Sequence, residues 1–144
     1  MSDGWGECMP DDVLLNKVAA IERALQRVRE EYAGRDANLF ENLTKQDAIL
    51  LNLQRACESA IDLAMHLVRV ERLGVPQETR EAFALLASAG RIDADLAERL
   101  QKMVGFRNIA VHDYERLNLR VVQAIVTGRL ADFERFCERA LTRA

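Results

Sequence analysis

The stretch KQDAILLNLQRACESAIDLAMHLVRVERL, residues 45–73, decides the fold class. Leu50, Leu53, Cys57, Ala60, Ile61, Ala64 and Val68 recur at intervals of three and four, the period of one helical face. Thr44 is the expected N-cap, with Asp47 three residues on at the capping-box position. Gly74 and then Pro76 stop the helix. The opposite face carries Arg55, Glu58, Asp62, His66 and Arg69. Asp62 and His66 are four apart and within reach of each other. A charged stripe opposite a core stripe is ordinarily a solvated, salt-bridged face. The alternative is that it lines a site, and Asp62 and His66 are then its candidates.

The same pattern extends in both directions. Upstream, Leu14, Val18, Ile21, Leu25, Val28 and Tyr32 predict a helix over 12–32, capped by Asp11 or Asp12 and ended by Gly34. Residues 35–43 read as a connection that Leu39, Phe40 and Leu43 pack down. Residues 1–10 show no period and read as a flexible tail ahead of one domain spanning 11–144, with Met9 an alternative start. Downstream, a short helix is expected over 77–89, with Phe83, Leu86 and Ala87 inward and Gly90 as its stop. Asp93 then caps a fourth helix, whose apolar face is Leu96, Leu100, Met103 and Val104. The last part, 119–141, holds one or two helices with a kink at Thr127-Gly128. Strand alternation, internal repeats and Gly-rich phosphate loops are missing from the sequence. The expected fold is an all-α, antiparallel helical bundle of about five helices.

Composition narrows the function. The 144 residues suit a single domain, and 49% hydrophobic with 30% charged residues is the balance of an ordered soluble chain. With a net charge of −3 and a pI near 5.5, the chain exerts no global pull on nucleic acid. Any RNA contact must therefore come from a local cluster of arginines. Cys8, Cys57 and Cys137 are odd in number and scattered, which suggests reduced thiols in a cytosol. With only two histidines, no zinc-ligand spacing exists, and neither a metal nor a cofactor is expected. No apolar run reaches the about 18 residues of a membrane span, and the N-terminus lacks a signal-peptide pattern. A cytoplasmic protein without membrane contact is the expectation.

The segment GFRNIAVHDY, residues 105–114, is where chemistry enters. At 100° per residue Arg107 falls within the apolar face of the fourth helix, where an unpaired charge is costly. Gly105 weakens the helix just before it and permits close approach of another backbone. An arginine binds phosphate oxygens bidentately and stabilises charge that develops on phosphorus. A histidine near neutral pKa takes a proton from a ribose 2′-OH or gives one to a leaving oxygen. Together they suffice for ribonuclease chemistry by internal transesterification, without a metal. Asn108 would orient the phosphate or the histidine, and Tyr114 adds a hydroxyl. The plainer alternative is that Arg107 pairs with an acid in the bundle and His112 caps the helix. On a continuous helix Arg107 and His112 stand about 140° apart. They converge if the helix ends near Val111 and the chain turns back through 113–118, or if a second chain supplies one of them.

The spacing Arg107-x-x-x-x-His112-x-Tyr114 resembles the motif of the HepT-like toxins of the HEPN superfamily. Its flank Gly105-Phe106-Arg107-Asn108 is similar to that family's wording. So are Asp11 to Lys17, Asn52 to Ala56 and Ala60 to Ala64. The resemblance covers the chain from Met9 onward. It implies an α-helical bundle that forms a homodimer with the two motifs facing across one composite site. It implies a metal-independent endoribonuclease, the toxin of a type VII toxin–antitoxin system, with Arg107 and His112 catalytic and Asn108 and Tyr114 supporting. The implied partner is a minimal nucleotidyltransferase antitoxin, MntA-like, that transfers AMP onto Tyr114 and blocks RNA by bulk and charge. Some relatives have lost catalysis, so the alternative is a non-catalytic module that binds a nucleotide or the antitoxin.

Overall fold

The computed structural model describes residues 11–112 and 117–142, with residues 111 and 112 described by backbone alone. The tail over 1–10 lies outside the described residues. Helix α1 spans Asp12–Tyr32, and Asp11 caps it by accepting from the Leu14 N–H at 3.1 Å. It ends in the left-handed pair Ala33 (φ 50°) and Gly34 (φ 69°).

The expected connection contains a further helix, α2, spanning Asp36–Phe40. Only Leu39 packs inward; Phe40 and Leu43 are exposed at 38% and 71%. The reason is geometric, because a helix of little more than one turn presents a single position to the core. The Leu39 carbonyl accepts from Gln46 and the Tyr32 carbonyl from Asn38, which tie α2 to its neighbours.

Helix α3, Leu43–Val70, starts earlier than the sequence predicts because Asn42, not Thr44, is its cap. Asn42 has extended backbone and accepts from the Lys45 N–H at 3.0 Å. Asparagine is the stronger cap of the two, and Thr44 falls inside the first turn. The helix also ends earlier, at Val70, where Arg72 turns left-handed (φ 55°) and the Leu73 N–H reaches back to the Val68 carbonyl. All seven residues of the predicted stripe are buried. So are Ile49, Asn52, Ala56, Leu63, His66 and Leu67, which widen the buried arc well beyond one stripe. The cause is position: α3 packs against α1 and α2 and against the three later helices at 79–88, 94–112 and 130–141.

Helices α1 and α3 run antiparallel, as three side-chain pairs show. Asp11 meets His66, Lys17 meets Asp62 and Glu31 meets Lys45, so residue numbers rise on one helix as they fall on the other. Helix α4 spans Thr79–Ser88 and α5 spans Ala94–His112. Asp93 caps α5 as expected, accepting from the Leu96 N–H at 2.7 Å. The C-terminal part divides into α6, Leu119–Gly128, and α7, Leu130–Leu141, so the expected kink is a break. Phe83 and Phe136 meet edge to face at 5.6 Å and join α4 to α7. Among the described residues there are seven helices and no strand, and no helix is long and apolar enough to cross a membrane.

Arg91, which the sequence did not single out, locks the C-terminal end. It is 5% exposed. Its Nε donates to the Glu71 carboxylate, and its Nη atoms donate to the carbonyls of Arg139, Ala140 and Thr142. One guanidinium thus satisfies the open carbonyls at the end of α7 while its charge is balanced.

Candidate active site

Helix α5 carries the motif unbroken to His112. Phe106 and Ala110 are buried, and Asn108 and Ile109 are exposed. Arg107 lies on the apolar face as expected, with 18% of its side chain exposed. Its Nε stands 3.0 Å from Glu58 Oε1 of α3. Both atoms are closed to solvent, and neither has a hydrogen-bond partner among the described residues. The contact is therefore an ion pair held by charge, with the N–H off the line to the oxygen.

Glu58 is the residue that sequence reasoning passed over. It sat in the charged stripe of α3 with nothing to distinguish it from Arg55 or Arg69. Its partner lies 49 positions away, and only the packing of α5 on α3 brings them together. Next to Glu58, the Cys57 thiol is pushed up to about 12, by burial first and then by the Glu58 carboxylate, with Arg107 pulling the other way. It stays a neutral thiol at working pH and is not a nucleophile.

Asp62 and His66 do not pair with each other. Asp62 Oδ2 meets Lys17 Nζ at 2.9 Å, at the surface of the α1–α3 seam. His66 is buried, contrary to its expected place on a solvated face, because it sits at the edge of the wide buried arc of α3. Arg69 Nη2 lies 3.0 Å from His66 Nδ1, and Asp11 Oδ2 lies 2.6 Å from Nε2. Arginine only donates, so Nδ1 accepts and Nε2–H donates to Asp11. Burial works to raise the Asp11 carboxyl, but the hydrogen bonds from His66 and the Leu14 N–H leave it below its ordinary value. This cluster ties the start of α1 to α3.

The backbone at His112 closes α5, so Arg107 and His112 belong to one continuous helix, about 140° apart around its axis. The expected turn back through 113–118 falls on residues 113–116, which lie outside the described residues. The side chain of His112 lies outside the described residues, as does Tyr114. Gly105 was expected to admit a neighbouring backbone. What approaches it is a side chain: a Cβ at 105 would stand 2.9 Å from Arg80 Nη2.

The comparisons with known proteins place this geometry in a family. A family profile described as ribonuclease HepT-like matches residues 21–140. This chain is a member of the ribonuclease HepT-like family. Among its relatives is the mRNA nuclease HepT of Shewanella oneidensis, 45% identical over 128 residues, which span 89% of this chain and 96% of that one. A putative RNase of Archaeoglobus fulgidus is 29% identical over 125 residues, 87% of this chain and 88% of the relative. Solved HepT-like structures agree. The tri-AMPylated Shewanella oneidensis HEPN toxin in complex with its MNT antitoxin has a TM-score of 0.84 at 45% identity, covering 91% of this chain and 97% of that one. A toxin–antitoxin structure with AMP-PNP has a TM-score of 0.85 at 44% identity, covering 90% and 97%. The all-α fold and the resemblance read from the motif are both borne out.

Proposed function

We propose that this HepT-like protein is a metal-independent endoribonuclease toxin whose active site is shared between two copies of the chain. The observation that carries this reading is Arg107, set in the apolar face of α5 and held through Nε by Glu58. With Nε so engaged, phosphate contact falls to the two terminal nitrogens, the edge suited to a bidentate oxyanion. His112 takes the proton from the ribose 2′-OH. The 2′-oxygen attacks phosphorus, the bond to the 5′-oxygen breaks, and that oxygen takes a proton from water as it leaves. A 2′,3′-cyclic phosphate remains. Arg107 balances the charge that builds on the phosphoryl oxygens. Asn108 orients the phosphate, and Tyr114 supports the site.

Two observations support a homodimer. Arg107 and His112 diverge on one helix, so a second α5 brought face to face supplies the missing group. Beside the motif, Met103, Phe106, Val121 and Ile125 line a groove of about 460 Å³ between α5 and α6 that offers apolar surface to a second copy. The complexes of the Shewanella toxin support the same control here: a nucleotidyltransferase antitoxin adds AMP to Tyr114 and closes the site in the cytoplasm.

The test is RNA cleavage by unmodified protein in excess EDTA, with intact mass confirming that no AMP is attached. Fragments ending in 2′,3′-cyclic phosphate are expected from the wild type, with at least a hundredfold loss, on the order of general acid–base catalysis, in His112→Ala. Retained cleavage by that variant overturns the role of His112. An inert wild-type dimer overturns the enzyme in favour of a binding module.

A further inference from the structure

A glycine inside a helix costs stability relative to alanine, so Gly105 needs a reason in space. Within 4 Å of the position its Cβ would take, outside the helix's own backbone, stands one atom, Nη2 of Arg80. Arg80 is the exposed second residue of α4. Its backbone carbonyl accepts from Gln101 Nε2 at 3.0 Å, which pins the root of the side chain to α5. Arg80, Gln101, Lys102 and Gly105 line an open groove of about 450 Å³ together with Glu98. The Glu98 carboxylate lies 3.6 Å from Lys102 Nζ, one turn along the same helix.

The side of α5 on which this guanidinium lies matters. Gly105 and His112 are seven residues apart, which is two turns, about 20° around the axis and about 10 Å along it. Arg80 therefore stands on the His112 side of α5, whereas Arg107 occupies the bundle side. One end of the Arg80 guanidinium reaches the helix surface where Gly105 has no Cβ, and a guanidinium presents a fork of donors to a phosphate. An acidic chain has no general field to hold RNA, so its cations must be placed individually.

We propose that Arg80, seated on Gly105, is a second phosphate-binding group that grips the RNA backbone beyond the scissile bond and fixes its register along α5. This rests on the ribonuclease reading. Arg80 is a binding and positioning residue and does not touch the reacting atoms.

The probe is a mixed-sequence single-stranded RNA, titrated at several salt concentrations with the full-length His112→Ala chain, which does not consume it. Arg80→Ala in that background is expected to weaken binding about tenfold and to lower the salt slope by about 0.7, the loss of one phosphate contact. In the cleavage-competent chain the same change raises KM with kcat within about twofold, since the reacting groups are untouched. Gly105→Ala is the second variant. Its methyl displaces the guanidinium and alters no charge, so RNA affinity falls while the thermal midpoint does not, because alanine favours the helix. Wild-type affinity and salt slope in Arg80→Ala overturn the proposal. So does unchanged RNA binding with lost neutralisation by the antitoxin, which would make the seat a protein contact. An inert wild type whose RNA binding still depends on Arg80 sinks the ribonuclease reading and leaves the seat standing.

Discussion

On the proposed reading, Arg107 serves the fold and the chemistry together. A guanidinium on the apolar face of α5 is tolerable only because Glu58 balances its charge. Among the described residues neither Nε nor Oε1 has a hydrogen-bond partner, so at that edge the guanidinium is held by charge. On that reading Glu58 is a positioning residue that acts through Arg107. Glu58→Gln keeps the shape and removes the charge. It is expected to lower kcat about tenfold, equal to about 1.4 kcal/mol of transition-state stabilisation, with KM little changed. Glu58 is half exposed, so thermal unfolding of the variant should stay near that of the wild type. An unchanged kcat would mean that the pair serves packing alone.

At the scale of elements, the long helices were legible and their junctions less so. Periodicity marked α1 to the residue, because Asp11 and the turn at Ala33-Gly34 are strong local signals. It placed α3 and misjudged both ends, since the choice between Asn42 and Thr44 is made by which residue has extended backbone. The motif was legible as a pattern of Arg107, His112 and Tyr114. Glu58 and Arg80 were not, because each acquires its role from a helix packed across it. The same holds for Arg91, which looked like any loop arginine. Its five donated hydrogen bonds make it the main clamp between α3, the α4–α5 turn and the end of α7. Arg91→Ala leaves the Glu71 carboxylate without its partner and several carbonyls open. The expected cost is about 3 kcal/mol, seen as a lower denaturant midpoint with an unchanged m-value. A loss under about 0.5 kcal/mol would show that water replaces the clamp freely.

At the scale of the whole molecule, the unbroken course of α5 sets a problem that the proposed dimer answers. If one chain gives Arg107 and its partner gives His112, the composite cleft of each dimer holds two such sites, related by its two-fold axis. Mixing Arg107→Ala with His112→Ala chains then produces a dimer with one site lacking both groups and one site intact. After exchange of subunits at equal amounts, half of the dimers are mixed and each has one of two sites working. The expected activity is about a quarter of the wild type, from two parents that are each inactive. If both groups act from the same chain, every site in the mixture lacks one of them, and activity stays at the parental level. The measurement is cleavage rate before and after subunit exchange, with native mass spectrometry to count the mixed dimers. Recovery in proportion to that count assigns the site to the interface. No recovery despite abundant mixed dimers returns it to the single chain, where the stretch after His112 would have to bring the groups together.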